Sequence, residues 1–132
     1  MHKRFVSAGA LLGAIAVALG AFGAHGLKKI VPAETVQTFQ TGVQYQMYHA
    51  LALLLTGLLY EKCYQKFARI AGISFVIGII LFSGSLFLLT AGKAMETSSL
   101  DKTGIITPFG GLAFIVGWVF LLLAAMKKSE RS

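Results

Sequence analysis

Four apolar runs divide the chain, and each is long enough for one membrane crossing. A transmembrane helix needs about 20 apolar residues to traverse roughly 30 Å of hydrocarbon. The runs lie at about residues 5–26, 42–60, 70–91 and 108–126. The second run reaches this length only when Gln44, Gln46 and His49 are included. The pattern predicts an all-α membrane protein in which residues 1–132 form a single domain, a bundle of four transmembrane helices.

A short amphipathic helix is expected in the first loop, ahead of the second run. Pro32 suits a first helical turn, because its missing N–H would have no partner there. Apolar residues then recur at three- and four-residue spacing, with glutamines between them. These apolar residues are Val36, Phe39, Val43 and Met47. The spacing predicts a helix near the outer membrane surface that leads into the second span, with Gly42 as the candidate bend.

The composition fits a membrane protein and argues against a nucleic-acid-binding domain. Of the 132 residues, 56% are hydrophobic and 13% are charged, whereas a soluble domain is about one quarter charged. The net charge of +7 comes from Lys and Arg in short clusters between apolar runs. Cytoplasmic loops that lie near anionic lipid carry such clusters. The lipid bilayer, and no nucleic acid, is therefore the expected partner.

The distribution of basic residues predicts the orientation of the bundle. With four spans, the N-terminus, the second loop and the C-terminus share one side. Eight of the twelve Lys and Arg lie on that side, and four lie in the first and third loops. The eight are Lys3, Arg4, Lys62, Lys66, Arg69, Lys127, Lys128 and Arg131. Because cytoplasmic segments carry the excess of basic residues, both termini are predicted to be cytoplasmic.

Small residues form stripes on the first and fourth predicted helices. The first stripe comprises Gly9, Gly13, Ala16, Gly20 and Ala24, and the second comprises Gly110, Ala113 and Gly117. Small residues let helix backbones approach closely inside a bilayer, where hydrophobicity alone does not hold helices together. Packing within the chain is the expected use of both stripes. The alternative is a homo-oligomer contact through one of them.

Polar groups on all four predicted helices converge on the outer leaflet. Polar residues inside a membrane are costly, so they are candidates for function. The residues selected for a binding site are His25, Gln46, His49, Ser85 and Thr107. They are predicted to line a site for a small lipophilic molecule or for a membrane partner protein. The structural alternative is that the same residues only link helices by hydrogen bonds.

Catalytic and metal-binding patterns are absent from the sequence. All five acidic residues lie in loops or tails, and there is no nucleophile elbow, phosphate loop or Cys/His ligand set. We therefore predict that the chain is not an enzyme and that it binds no cofactor or metal. Two alternatives stay open: a small oligomeric transporter or channel, and a redox subunit with haem or quinone at His25 and His49. The predicted depths of the two histidines differ by about 10 Å, which disfavours haem.

Four motifs in a fixed order give the chain a resemblance to a known family. They are GAFGAHGL at 20–27, TGVQYQMYHAL at 41–51, SGSL at 83–86, and TPFGG at 107–111 with GW at 117–118. With these motifs the chain resembles the uncharacterised small membrane proteins, a domain-of-unknown-function family that includes bacterial YgdD and YwdK. The resemblance implies a multi-span protein of the bacterial plasma (inner) membrane, with relatives in mitochondrial membranes and no settled activity. It names no ligand.

Overall fold

Four long helices contain most of the chain, and the computed structural model describes residues 1–129. The helices are α1 (Lys3–His25), α2 (Ala33–Leu59), α3 (Gln65–Ala94) and α4 (Thr107–Met126). Short 3₁₀ turns lie in the three connections, at Leu27–Lys29, Tyr60–Lys62 and Asp101–Ile105. α1 packs antiparallel on α2, and α3 packs antiparallel on α4. The predicted all-α class is therefore confirmed.

Among the described residues, three segments are long and apolar enough to cross a membrane. They are Lys3–Lys29, Gln65–Ala94 and Asp101–Met126, and they correspond to the first, third and fourth predicted spans. α2 differs, although its 27 residues make a helix about 40 Å long. Glutamine and threonine side chains in its first half, and His49 just past its middle, lower its hydropathy. By composition, α2 is therefore not a clear span.

The amphipathic helix predicted for the first loop does not occur as a separate element. α2 begins directly after Pro32 and continues through Gly42 as one uninterrupted α-helix. Gly42 serves close packing instead of a bend, because a Cβ there would lie 2.9 Å from the Phe87 ring of α3. The predicted apolar face exists, since Phe39 and Val43 are buried. This face packs against neighbouring helices. Burial against a helix requires the same spacing of apolar residues as burial in a membrane surface.

A π-helical turn at Ile79–Ser83 interrupts α3. Ser83 is fully buried, and its Oγ donates a 2.6 Å hydrogen bond to the Gly42 carbonyl oxygen of α2. Gly110 of α4 lies against the same turn so closely that a Cβ would be 2.7 Å from Phe82 Cα. The turn is therefore the point where α2, α3 and α4 meet. Turns of this kind are frequent at functional sites.

Glycines of both small-residue stripes pack within the chain, whereas Ala24 at the end of the first stripe is exposed. On α1, a Cβ at Gly9 would lie 2.8 Å from the Ala50 carbonyl oxygen and 2.9 Å from Leu54 N. The backbones of α1 and α2 therefore touch at this point. On α4, a Cβ at Gly117 would lie 2.6 Å from the Phe75 ring of α3. Each stripe thus makes room for a neighbouring helix, which is the close approach that small residues permit.

The N-terminus and the C-terminal end of α4 lie at one end of the bundle, which we call the terminal end. The Met1 amine lies 3.5 Å from Glu61 Oε1 in the second connection. Tyr64 N, just after that connection, donates to the Ala124 carbonyl oxygen of α4 at 2.9 Å. The first and third connections lie at the opposite end. Arg131, which contributes to the predicted orientation, lies outside the described residues.

Candidate functional site

The structure separates two of the predicted site residues from the others. His25 is exposed at the C-terminal end of α1. Gln46 is buried on the side of α2 that faces α1, and its Nε2 donates a 2.9 Å hydrogen bond to the Leu12 carbonyl oxygen. Gln46 therefore links α2 to α1, and His25 stands apart from it.

Ser85 and Thr107 come together between α3 and α4. Ser85 is buried, and its Oγ donates to the Phe82 carbonyl oxygen at 2.8 Å. The Thr107 hydroxyl lies 2.5 Å from the same Oγ. Thr107 is the donor of this second bond, because a serine hydroxyl has a single proton. The pair joins the first turn of α4 to α3, so both hydroxyls are used in a contact between helices.

His49 has both ring nitrogens in hydrogen bonds. Trp118 Nε1 donates to His49 Nε2 at 3.0 Å, so Nε2 carries no proton. The other nitrogen, Nδ1, lies 2.7 Å from the Tyr45 carbonyl oxygen and donates to it. The imidazole is therefore neutral with its proton on Nδ1. It also lies flat on the Phe114 ring, with 3.5 Å between centroids, so the ring is held in one orientation between α2 and α4.

The hydrogen-bonded pair of His49 and Trp118 lies near the middle of the bundle, deeper than the outer half predicted from the sequence. Gln46, which is one turn before His49, is level with Leu12 of α1. About 20 Å of helix separates Leu12 from His25. The two histidines therefore share no site, and haem or quinone bound between them has no geometric basis.

A groove of about 620 Å³ opens beside this pair, between α2, α3 and α4. Its aromatic lining consists of Tyr45, His49, Phe82, Phe114 and Trp118, and we call it the aromatic groove. Tyr45 and Trp118 are partly exposed, so the groove opens sideways on the outer surface of the bundle. Of the five residues predicted for the site, only His49 lines the groove.

Residue spacing on two helices builds the walls of the aromatic groove. Tyr45 and His49 lie four residues apart on α2, and Phe114 and Trp118 lie four residues apart on α4. Each pair therefore occupies one helix face. Tyr45, Phe82, Phe114 and Trp118 are absent from the residues predicted for the site. The repeated four-residue aromatic spacing is the signal that could have identified the wall formed by α4.

The aromatic groove offers a hydrogen-bond donor as well as apolar rings. The Tyr45 side chain is partly exposed, and its hydroxyl makes no hydrogen bond within residues 1–129. Gly111 leaves space above Phe82, because a Cβ there would meet only the Phe82 ring, at 3.9 Å. The lining of the groove therefore combines aromatic rings with one tyrosine whose hydroxyl has no hydrogen-bond partner among residues 1–129.

Comparison with known proteins gives close relatives over nearly the whole chain. The UPF0382 membrane protein YwdK of Bacillus subtilis is 43% identical over 126 residues, which are 95% of this chain and 98% of the relative. A UPF0382 membrane protein of Haemophilus influenzae is 42% identical over 130 residues, 98% and 99% of the two chains. The UPF0382 inner membrane protein YgdD of Escherichia coli is 36% identical over 122 residues, 92% and 88% of the two chains. No solved structure gives a significant match.

A family model agrees with these relatives. The protein of unknown function family DUF423 matches residues 19–111. This segment includes Tyr45, His49 and Phe82 of the aromatic groove, and the similarity to whole relatives extends past it through Phe114 and Trp118. The resemblance expected from the four motifs is thereby confirmed. The chain belongs to the DUF423 family, whose curated relatives are named as membrane proteins.

Proposed function

We propose that this protein crosses the bacterial plasma membrane four times and binds a small lipophilic molecule in the aromatic groove. Three apolar helices and relatives named as membrane proteins support the membrane position. YgdD is called an inner membrane protein, which supports the plasma membrane. Both termini are placed in the cytoplasm, because eight of the twelve Lys and Arg lie on their side.

α2 supplies the fourth crossing in this proposal. Its 27 residues are more than the roughly 20 residues that one membrane span needs. Its outer surface exposes Leu51, Leu55 and Leu58. Its polar side chains Gln46 and His49 are buried and hydrogen-bonded to α1 and α4. A polar group that is buried and paired does not meet lipid. The low hydropathy of α2 is therefore compatible with a transmembrane position.

The aromatic groove is the observation on which ligand binding rests. Small-molecule sites are concave, mostly apolar and contain a few fixed polar groups. At about 620 Å³, the groove falls within their usual range of about 300–1,000 Å³. Because it opens sideways, a molecule dissolved in the bilayer can enter from the lipid. The hydrogen bond from Trp118 to His49 fixes two walls before the ligand arrives, which lowers the entropy lost on binding.

The lining favours a ligand with a planar ring and one polar acceptor. Aromatic side chains prefer stacked or edge-on contacts with other rings, worth about 0.5–1.5 kcal/mol beyond burial. Tyr45 lines the groove, and we expect its hydroxyl to donate to a carbonyl or ether oxygen on such a ring. An aliphatic molecule of the same volume makes neither interaction, so we expect weaker binding from it.

Trp118 is the only tryptophan of the sequence, so its fluorescence reports directly on the aromatic groove. A short-chain naphthoquinone is planar and lipophilic, and it quenches tryptophan fluorescence. In nanodiscs, we expect it to reduce Trp118 emission in a saturable manner. An aliphatic ketone of similar size gives no saturable change. Tyr45→Phe is expected to lower the apparent affinity roughly three- to tenfold, because one hydrogen bond is lost.

The matched control moves the tryptophan out of the aromatic groove at the same depth. Positions 118 and 119 are both 46% exposed, but Val119 does not line the groove. In Trp118→Phe/Val119→Trp, quinone dissolved in the bilayer should quench linearly without saturation. Gly111→Leu fills the groove, and we expect it to remove the saturable component. Linear quenching of the wild-type protein, equal to that of the relocated tryptophan, contradicts the proposed site.

A further inference from the structure

A second hollow with different chemistry lies at the terminal end of the bundle. It has a volume of about 370 Å³ between α1 and α3. Its lining residues are His2, Arg4, Phe5, Arg69 and Ile73, and we call it the arginine hollow. None of them lines the aromatic groove. Two arginines from different helices, Arg4 of α1 and Arg69 of α3, thus contribute to the mainly apolar lining of the same small space.

Among the described residues, no acidic side chain pairs with the two arginines of the arginine hollow. Within residues 1–129, no carboxylate lies at ion-pair distance from Arg4 or Arg69. Glu61, which belongs to the same end of the bundle, lies 3.5 Å from the Met1 amine. Arg69 donates a 3.0 Å hydrogen bond to the Tyr60 hydroxyl, which orients its side chain. A guanidinium has five N–H donors, so Arg69 retains donors for an anion.

His2 lies in the positive field of the arginine hollow. Burial lowers the pKa of His2, and the positive charges of Arg69 and Arg4 lower this pKa further. His2 is also the N-cap of α1, where its Nδ1 accepts a 3.2 Å hydrogen bond from Phe5 N. The positive end of the α1 dipole adds to the same field. An anion bound in the hollow would offset this accumulation of positive charge.

An apolar ridge runs along α3 from the arginine hollow. Ile73 lines the hollow, and Ile77 follows four residues later on the same face of the helix. Ile80 comes next, within the π-helical turn. All three are exposed, between 44% and 63%. The ridge leads from the charged end of the bundle toward its middle. A ligand that combines an anionic group with a hydrocarbon chain fits both features.

We propose that the arginine hollow binds the phosphate of an anionic phospholipid, with one acyl chain along the isoleucine ridge. Arginine pairs well with phosphate because its N–H groups bind two oxygens at once. Basic pockets between membrane helices on the cytoplasmic side bind anionic lipid headgroups. Free phosphate would satisfy the guanidinium groups but would leave the ridge unused. The proposal requires that the bundle spans a membrane, but it does not require a ligand in the aromatic groove.

Native mass spectrometry can count the lipids that stay bound to the full chain after release from nanodiscs of mixed phosphatidylcholine and phosphatidylglycerol. We expect the wild-type protein to retain phosphatidylglycerol preferentially. Arg4→Gln/Arg69→Gln is expected to lower the apparent affinity roughly tenfold or more. The matched control is Lys3→Gln/Lys66→Gln, which removes the same charge at the same end from exposed residues outside the hollow. It should change the affinity less than about threefold.

Three results would overturn the proposal: equal losses in the two double variants, equal retention of both lipids by the wild-type protein, or displacement of phosphatidylglycerol by millimolar inorganic phosphate. The last result would identify a site for free anions.

The melting temperature in detergent shows whether the arginine variant is folded. If it is not, Tyr60→Phe keeps both charges and frees Arg69 from its hydrogen bond. We expect this variant to retain roughly threefold less phosphatidylglycerol, and unchanged retention counts against the site.

Discussion

Replacing Gly110 with alanine is expected to lower the free energy of unfolding by about 2–3 kcal/mol. The new Cβ would overlap the backbone of Phe82, at 2.7 Å from its Cα. Rotation of a side chain cannot relieve this overlap, so α4 must move away from the π-helical turn of α3. The movement would also strain the Ser85–Thr107 hydrogen bond. Thermal unfolding in mild detergent, followed by circular dichroism, measures the change.

The neighbouring glycine provides a matched control for this prediction. A Cβ at Gly111 would meet only the Phe82 ring, at 3.9 Å, which is an ordinary van der Waals contact. Gly111→Ala is therefore expected to change the free energy of unfolding by less than about 0.5 kcal/mol, or to raise it slightly because alanine restricts the unfolded chain. Equal destabilisation by both alanines would mean that the close approach at Gly110 does not stabilise the pairing of α3 with α4.

Much of this fold is predictable because its main signals are properties of single helices. The apolar runs at 5–26, 70–91 and 108–126 lie within the three segments that are apolar enough to cross a membrane. Glycine spacing likewise predicts helix contacts, and both Gly9 and Gly117 sit where a neighbouring helix fills the missing side chain. Such signals depend on length, hydropathy and periodicity, which can be read directly from the residues.

The direction that each α2 side chain takes is not predictable in the same way. Gln46 and His49 lie three residues apart, about 60° around the helix axis, yet Gln46 binds α1 and His49 binds α4. α2 packs between its neighbours, so a small rotation decides which helix each side chain meets. The amphipathic pattern at Phe39 and Val43 has the same ambiguity, because a membrane surface and a neighbouring helix require the same periodicity.

The aromatic groove depends on a backbone feature that no residue pattern in the sequence predicts. The π-helical turn at Ile79–Ser83 changes the register of α3 between its two halves. This change places Phe82 beside α4 and leads the Ser83 hydroxyl to Gly42 of α2. A local insertion of this kind has no simple residue pattern. The predicted polar cluster therefore identifies His49 but misses the aromatic walls around it.

Replacing His49 with alanine is expected to lower the free energy of unfolding by about 3 kcal/mol. The substitution removes the ring stacked on Phe114 and the acceptor of the Trp118 N–H, and it leaves a cavity between α2 and α4. His49→Phe is the matched variant, because it keeps a stacked ring and removes only the hydrogen bonds. We expect it to cost about 1 kcal/mol. Unfolding of the two variants in the same detergent separates packing from hydrogen bonding.

A double-mutant cycle with Trp118→Phe then distinguishes a structural role of His49 from a role in binding. Hydrogen bonds between membrane helices are worth about 0.6 kcal/mol on average and reach about 1.7 kcal/mol, so we expect a stability coupling in that range between His49→Phe and Trp118→Phe. Quinone binding is measured in His49→Phe, which keeps Trp118 as the reporter. If the coupling is present and binding persists, His49 fixes the walls of the groove. If binding is lost while Tm is nearly unchanged, His49 contacts the ligand itself. A stability coupling near zero would show that the hydrogen bond between His49 and Trp118 does not stabilise the bundle.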